Sequence, residues 1–148
     1  MITLAIKWFS FSVLIILSFT QCQSTKRSRF LKKEYKSIYI DQFKLTYIEE
    51  MLIKGYNNSK AIQEIIKFDH SGFTERILTE DDYKLIDSLT TIDNQKMVID
   101  SSWGKQRAEG SEGKRPLGFI LNKFSGKWLD SIARNRYKKS GLRNQDYE

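Results

Sequence analysis

The sequence predicts an all-α fold: a compact bundle of four main helices carrying one long glycine-rich loop, placed behind a short apolar leader. Three observations carry this expectation. Apolar residues recur at i, i+3 and i+4 spacing in four separate stretches, the signature of helices with one buried face. A Thr79-Glu80-Asp81-Asp82 start signal opens one of those stretches. Three glycines and the single proline gather in one polar segment, residues 101–116, which has no apolar face to bury.

The leader comes first. Residues 8–20 (WFSFSVLIILSFT) carry no charge, and Lys7 is the only basic residue before them. A run of this length is too short for a bilayer core, which needs about 20 residues, and it suits the apolar region of a secretory signal. The only cysteine, Cys22, follows the run and precedes polar QSTKRSR, so it looks like the lipid-accepting cysteine of a bacterial lipoprotein. Phe19 and Gln21 stand where such sites usually carry Leu and a small residue, which leaves an uncleaved anchor as the alternative. The expected organisation is a lipoprotein-type signal over 1–21, a polar basic tether over 22–38 and a helical domain over 39–148. The tether reads either as a solvated tail or as a patch for acidic lipids. With Cys22 acylated no thiol remains, so the domain is expected to hold together by packing alone.

Within the domain, Phe43, Tyr47, Met51 and Leu52 mark the buried face of a first helix, with Asp41 as its N-cap. Gly55, Asn57 and Asn58 stop it with residues that tolerate left-handed backbone. Ser59 caps a second helix with Ile62, Ile65, Ile66 and Phe68 inward, ending at His70-Ser71-Gly72. Residues 73–78 read as a short extended piece or a loop. The third helix starts at the Thr79 signal, where three acidic residues oppose the positive end of the helix dipole. It runs to about Ile99 on a face of Tyr83, Ile86, Leu89, Ile92 and Gln95/Met97. After the loop, Leu117, Ile120, Leu121, Phe124, Trp128, Leu129 and Ile132 predict one final helix.

The chemistry of the chain points to binding rather than catalysis. His70 is the sole histidine, and its neighbours Asp69 and Ser71 cannot face it in a relay because adjacent residues diverge. A histidine there reads as a helix-end cap. No His or Cys pair has ligand spacing, so no metal and no cofactor is expected. The acid pairs Glu49/Glu50 and Asp81/Asp82 are ordinary helix-surface pairs, and Gly110-Ser111-Glu112-Gly113 lacks the lysine and the strand–helix setting of a phosphate loop. Phe43, Tyr47, Tyr83, Phe124 and Trp128 read as core. Trp103, in the polar loop, reads either as an interface anchor or as a side chain folded back on its own domain. The formal net charge of +7 favours acidic partners over nucleic acid in an exported chain.

Two helical segments carry a family resemblance. FKLTYIEEMLIKGY (43–56) and LNKFSGKWLDS (121–131), with YKLIDSL (83–89) between them, resemble the periplasmic immunity proteins that neutralise peptidoglycan amidase effectors of type VI secretion. The second segment matches through Phe124, Gly126, Lys127 and Leu129. Family members carry cysteines near the positions of Thr46, Met51 and Ile120, and this chain has none there. The resemblance implies an all-helical, homodimeric inhibitor that inserts a loop into the active-site cleft of its amidase. Placed on this chain, the loop is Ser102–Arg115, and Trp103, Arg107, Glu109, Gly110, Ser111, Glu112, Gly113 and Lys114 would contact the effector. Glycines let a backbone enter a narrow cleft, and a glutamate at the tip can hydrogen-bond within it.

Two readings follow. The first is a non-enzymatic immunity protein of the periplasm, held to a membrane through Cys22. The second is a non-catalytic envelope lipoprotein or adaptor that binds acidic polymers or lipids.

Overall fold

The computed structural model describes the backbone of residues 2–72, 75–104 and 113–142, with side chains from residue 26 onward in those stretches. The described residues form five helices and no strand: α1 Ile2–Gly55, α2 Lys60–Phe68, α3 Glu80–Ser102, α4 Pro116–Ser125 and α5 Lys127–Lys139. The expected all-helical class holds.

The first helix does not begin at Asp41. It runs unbroken from Ile2, because no glycine or proline interrupts residues 2–54 and each added residue gains one more backbone bond. Asp41 sits inside the helix and accepts a bond from Ser37 Oγ one turn earlier, at 3.4 Å. The stop signal is where the sequence puts it. The helix ends at Gly55, and Asn57 and Asn58 take φ of 54° and 53°, the left-handed region that asparagine tolerates. Close packing adds a reason for glycine here. A Cβ on Gly55 would lie 2.8 Å from the Pro116 ring, so only glycine lets α4 start against the end of α1.

From residue 39 onward, α1 is the spine of the core. Tyr39, Phe43, Tyr47 and Met51 recur every fourth residue and are fully buried. Along the spine α3 runs in the same direction, with Asp82 beside Tyr39, Asp93 bonded to Tyr47 and Met97 beside Gly55. Helices α4 and α5 return the opposite way, from Pro116 at Gly55 to Tyr137, whose ring centroid lies 5.4 Å from that of Tyr39. Ile86, Ile120, Leu129 and Ala133 close the interior.

The expected inner face of α3 is only partly right. Ile86 and Met97 are buried and Leu89 is half-buried, but Tyr83 and Ile92 face outward. Three polar residues take the inner stripe instead: Asp82, Thr90 and Asp93. Each is matched by a donor or acceptor. Asp82 completes the capping box with Thr79 and receives the Arg136 guanidinium at 2.7 Å. Thr90 accepts from Lys54 Nζ at 2.8 Å and donates to the Ile86 carbonyl at 2.9 Å. Buried polar groups survive only when paired in this way.

Two further expectations are corrected. On α2, Ile62 alone is buried, while Ile65 and Phe68 are 59% and 70% exposed, because no neighbouring element covers the outer side of that short helix. The final helix is two helices. Gly126 adopts extended backbone (φ −76°, ψ 154°), breaking the chain between α4 and α5 and turning Phe124 and Trp128 toward the surface. Residues 75–78, before α3, form no regular element and are held by one side chain. Gln42 donates to the Glu75 carbonyl at 2.9 Å and accepts from the amides of Ile77 and Leu78 at 2.8 and 3.1 Å.

Candidate functional site

Both flanks of the glycine-rich loop are ordered by the bundle. On the upstream side, α3 runs three residues past its expected end, and the Trp103 amide closes the last turn by donating to the Ile99 carbonyl at 3.4 Å. Ser102 Oγ donates to the same carbonyl at 2.6 Å. On the downstream side, Lys114 Nζ donates to the Lys54 carbonyl at 3.1 Å, to Asn57 Oδ1 at 2.7 Å and to Asn94 Oδ1 at 3.4 Å. A lysine on the orphan carbonyls of a helix end suits the negative end of the dipole. Pro116 then opens α4 at the first-turn position where its missing N–H costs nothing.

Between these flanks lies an open cleft of about 700 Å³. Its apolar walls are Met97 and Ile99 from α3, Trp103 at its C-cap and Phe119 from α4, and Lys96, Asp100, Arg115 and Asn122 also line it. Trp103 is 52% exposed, so its ring borders the cleft without being swallowed by the domain. Gly113 lines the cleft as well and has φ 97°, a conformation that side chains resist.

A charged knot fixes the floor beside the cleft. Asp93, 2% exposed, accepts from Tyr47 Oη at 2.7 Å, Lys96 Nζ at 3.1 Å and Lys123 Nζ at 3.1 Å. Burial works against its charge, but the bonds from Tyr47, Lys123 and Lys96 outweigh it and hold the carboxyl below the usual range. Burial, then the bonded carboxylate, pushes the Tyr47 hydroxyl up. The Lys123 ammonium also lies 3.8 Å from the Trp128 ring centroid and 5.4 Å from that of Phe119, so two aromatic faces share its charge. The knot ties α1, α3 and α4 together next to the loop.

A second knot lies at the start of the buried stretch of α1, beside Tyr39. Burial likewise opposes the charge of Asp82, yet bonds from Thr79 and Arg136 keep its carboxyl low, and the pair raises the Arg136 guanidinium. Beside it the buried Tyr39 hydroxyl lacks a hydrogen-bond partner of good geometry, although both charged groups are adjacent. Burial pushes that hydroxyl up.

Of the residues expected at the site, Trp103 and Gly113 meet at the cleft, whereas Lys114 is engaged by the end of α1. Arg107, Glu109, Gly110, Ser111 and Glu112 lie outside the described residues, as does the side chain of Cys22, whose backbone belongs to α1. The cleft walls Ile99 and Phe119 were not singled out for the site from sequence. Their signal is an apolar residue out of step with the buried stripe of its own helix. Among the described residues, no group of His, Cys, Asp or Glu side chains is arranged to hold a metal ion, and no helix is long and apolar enough to cross a membrane. Compared with known proteins, the chain matches no family model, no curated protein and no solved structure.

Proposed function

We propose that this chain is an immunity protein, related to the type VI amidase-inhibitor group, that occludes the active site of a peptidoglycan amidase effector. One observation carries the reading: the described residues on either side of the glycine-rich segment, Trp103 and Lys114, are held by the bundle next to an apolar cleft. Anchored ends lower the ordering cost when a loop enters a partner's cleft. In this reading Arg107, Glu109, Gly110, Ser111 and Glu112 form a protruding tip that enters the amidase, while Trp103 packs on its rim. Lys114 holds the loop base rather than the effector. The inhibitor needs no catalytic group of its own, and two copies form the homodimer that the resemblance implies.

The same reading places the domain, residues 39–148, in the periplasm where the effector acts. Residues 1–21 are removed as a signal, Cys22 takes the lipid, and 22–38 link the anchor to the domain. Lipidation is tested separately: Cys22→Ala releases the protein from the membrane fraction, whereas retention means an uncleaved anchor.

The test of occlusion is whether this chain binds the product of its neighbouring gene and inhibits amidase activity on cell-wall fragments. Deleting residues 106–112 spares Lys114 and Trp103, so it abolishes inhibition while the helical circular dichroism stays unchanged. Inhibition that survives the deletion overturns the plug.

A further inference from the structure

The stretch read from sequence as a tether is helical, and its exposed face has a composition of its own. Lys26, Arg29, Phe30 and Lys33 all face solvent in α1. At 100° per residue Lys26, Phe30 and Lys33 fall on one line, and Arg29 flanks it. Residues 26–37 hold six cations against one carboxylate, Glu34. Phe30, 65% exposed, sits in the middle of them. An aromatic side chain ringed by lysine and arginine on one helix face is the composition of an interfacial membrane helix.

The tertiary structure adds to that charge. Because Tyr137 packs on Tyr39, the last turn of α5 ends beside the point where the basic stretch leaves the bundle. That turn contributes the exposed Lys138 and Lys139. Among the described residues the carboxylates near this pole are fewer: Glu34, Asp81, Asp41 (which accepts from Ser37 Oγ at 3.4 Å), Glu80, paired with Lys84 at 2.8 Å, and Asp130, which is paired with Arg134 and lies near Lys36. The cleft lies at the opposite end of the spine, 22 residues further along α1 than Lys33, or about 33 Å at 1.5 Å per residue.

We infer that the exposed face of α1 over residues 26–37, with Lys138 and Lys139, docks on an anionic lipid bilayer, Phe30 entering the headgroup layer. In the proposed processing Cys22 carries the lipid four residues before Lys26 on the same helix, so the docking face adjoins the anchor. Docking by this pole leaves the cleft uncovered. The inference stands whether or not the loop plugs an amidase.

The test uses the full chain and two kinds of vesicle: neutral phosphatidylcholine, and the same lipid with one-third phosphatidylglycerol. The ratio of the two partition coefficients cancels whatever the apolar run contributes to both. Neutralising Lys26, Arg29 and Lys33 to Gln lowers that ratio roughly fivefold per side chain. Neutralising three exposed lysines elsewhere, Lys60, Lys67 and Lys127, leaves it within about twofold. Phe30→Ala lowers partitioning into both vesicles by about tenfold and leaves the ratio in place. A ratio unaffected by the triple substitution, or equally affected by the control, overturns the inference. So does binding that ignores Phe30 and is competed away by heparin, which would assign the face to a soluble polyanion. All substituted side chains are solvent-facing, and unchanged helical dichroism confirms that each variant is folded.

Discussion

The inner face of α1 and the outer faces of α2 and α4 read alike as apolar stripes at helical spacing, yet the fold treats them in opposite ways. Tyr39, Phe43, Tyr47 and Met51 are fully buried, because α3 and the α4–α5 pair close over them from two sides. Ile65 and Phe68 on α2, and Leu117, Leu121 and Phe124 on α4, remain open to solvent. Periodicity identifies which face of a helix is apolar. Whether that face is covered depends on how many neighbours the topology supplies, and a short helix at the periphery of the bundle has few.

The comparison can be broken most sharply at its buried end. Phe43→Ala empties a site with no solvent route to relax into and costs about 4 kcal/mol in chemical denaturation. If the loss were below about 1 kcal/mol, α1 would not be the spine of the core. Asp93→Ala is expected to cost about 3 kcal/mol, since it leaves Lys123 and Tyr47 facing a buried gap. Thermal melts of Asp93→Ala alone and combined with Lys123→Met separate the two contributions. The double variant recovers part of the loss once no uncompensated charge remains.

The acid limb of stability sharpens the same contrast. Both Asp82 and Asp93 are held below their usual range in the folded chain, so the unfolded chain takes up protons first as pH falls. Their contribution is complete above about pH 5 and is lost as pH drops through the unfolded carboxylate value of about 3.9 toward the folded one. Stability measured from about pH 6 to pH 3 therefore declines, and the slope flattens in Asp82→Asn. A slope identical to the parent would mean that the Arg136 pair adds nothing.

Smaller effects belong to the close approach and the open faces. Gly55→Ala forces its methyl toward the Pro116 ring at 2.8 Å and costs about 2 kcal/mol, with the start of α4 displaced. At the far end of the scale, Phe68→Ser and Leu121→Ser change stability by no more than about 0.5 kcal/mol in either direction. A loss of several kcal/mol from either would show that these faces are covered in solution.

Local signals in the sequence translated faithfully into structure. The Thr79 capping box needs only residues 79–82, and the Gly55-Asn57-Asn58 stop needs only backbone tolerance for left-handed geometry, so both are in place. The Asp41 cap is not, because a cap works only where the preceding chain leaves the helix, and nothing in residues 2–40 makes it leave. The inner stripe of α3 misled for another reason. Its buried members Asp82, Thr90 and Asp93 carry no apolar signal, and their partners on other helices lie 30 to 54 residues away in sequence. The cleft was half legible: Trp103 and Gly113 stand out, whereas Ile99 and Phe119 become walls only when α3 and α4 meet.

By itself, then, the sequence determined the all-helical class, the helix stops that rest on glycine and asparagine, and the basic balance. All of these follow from backbone preferences and periodicity within a few residues. The tertiary structure alone decided that three polar side chains belong in the core, that apolar faces on α2 and α4 stay open, and that Lys114 serves the fold. Each of those outcomes depends on a partner from a distant segment, and burial and pairing energies exist only once the partner has arrived.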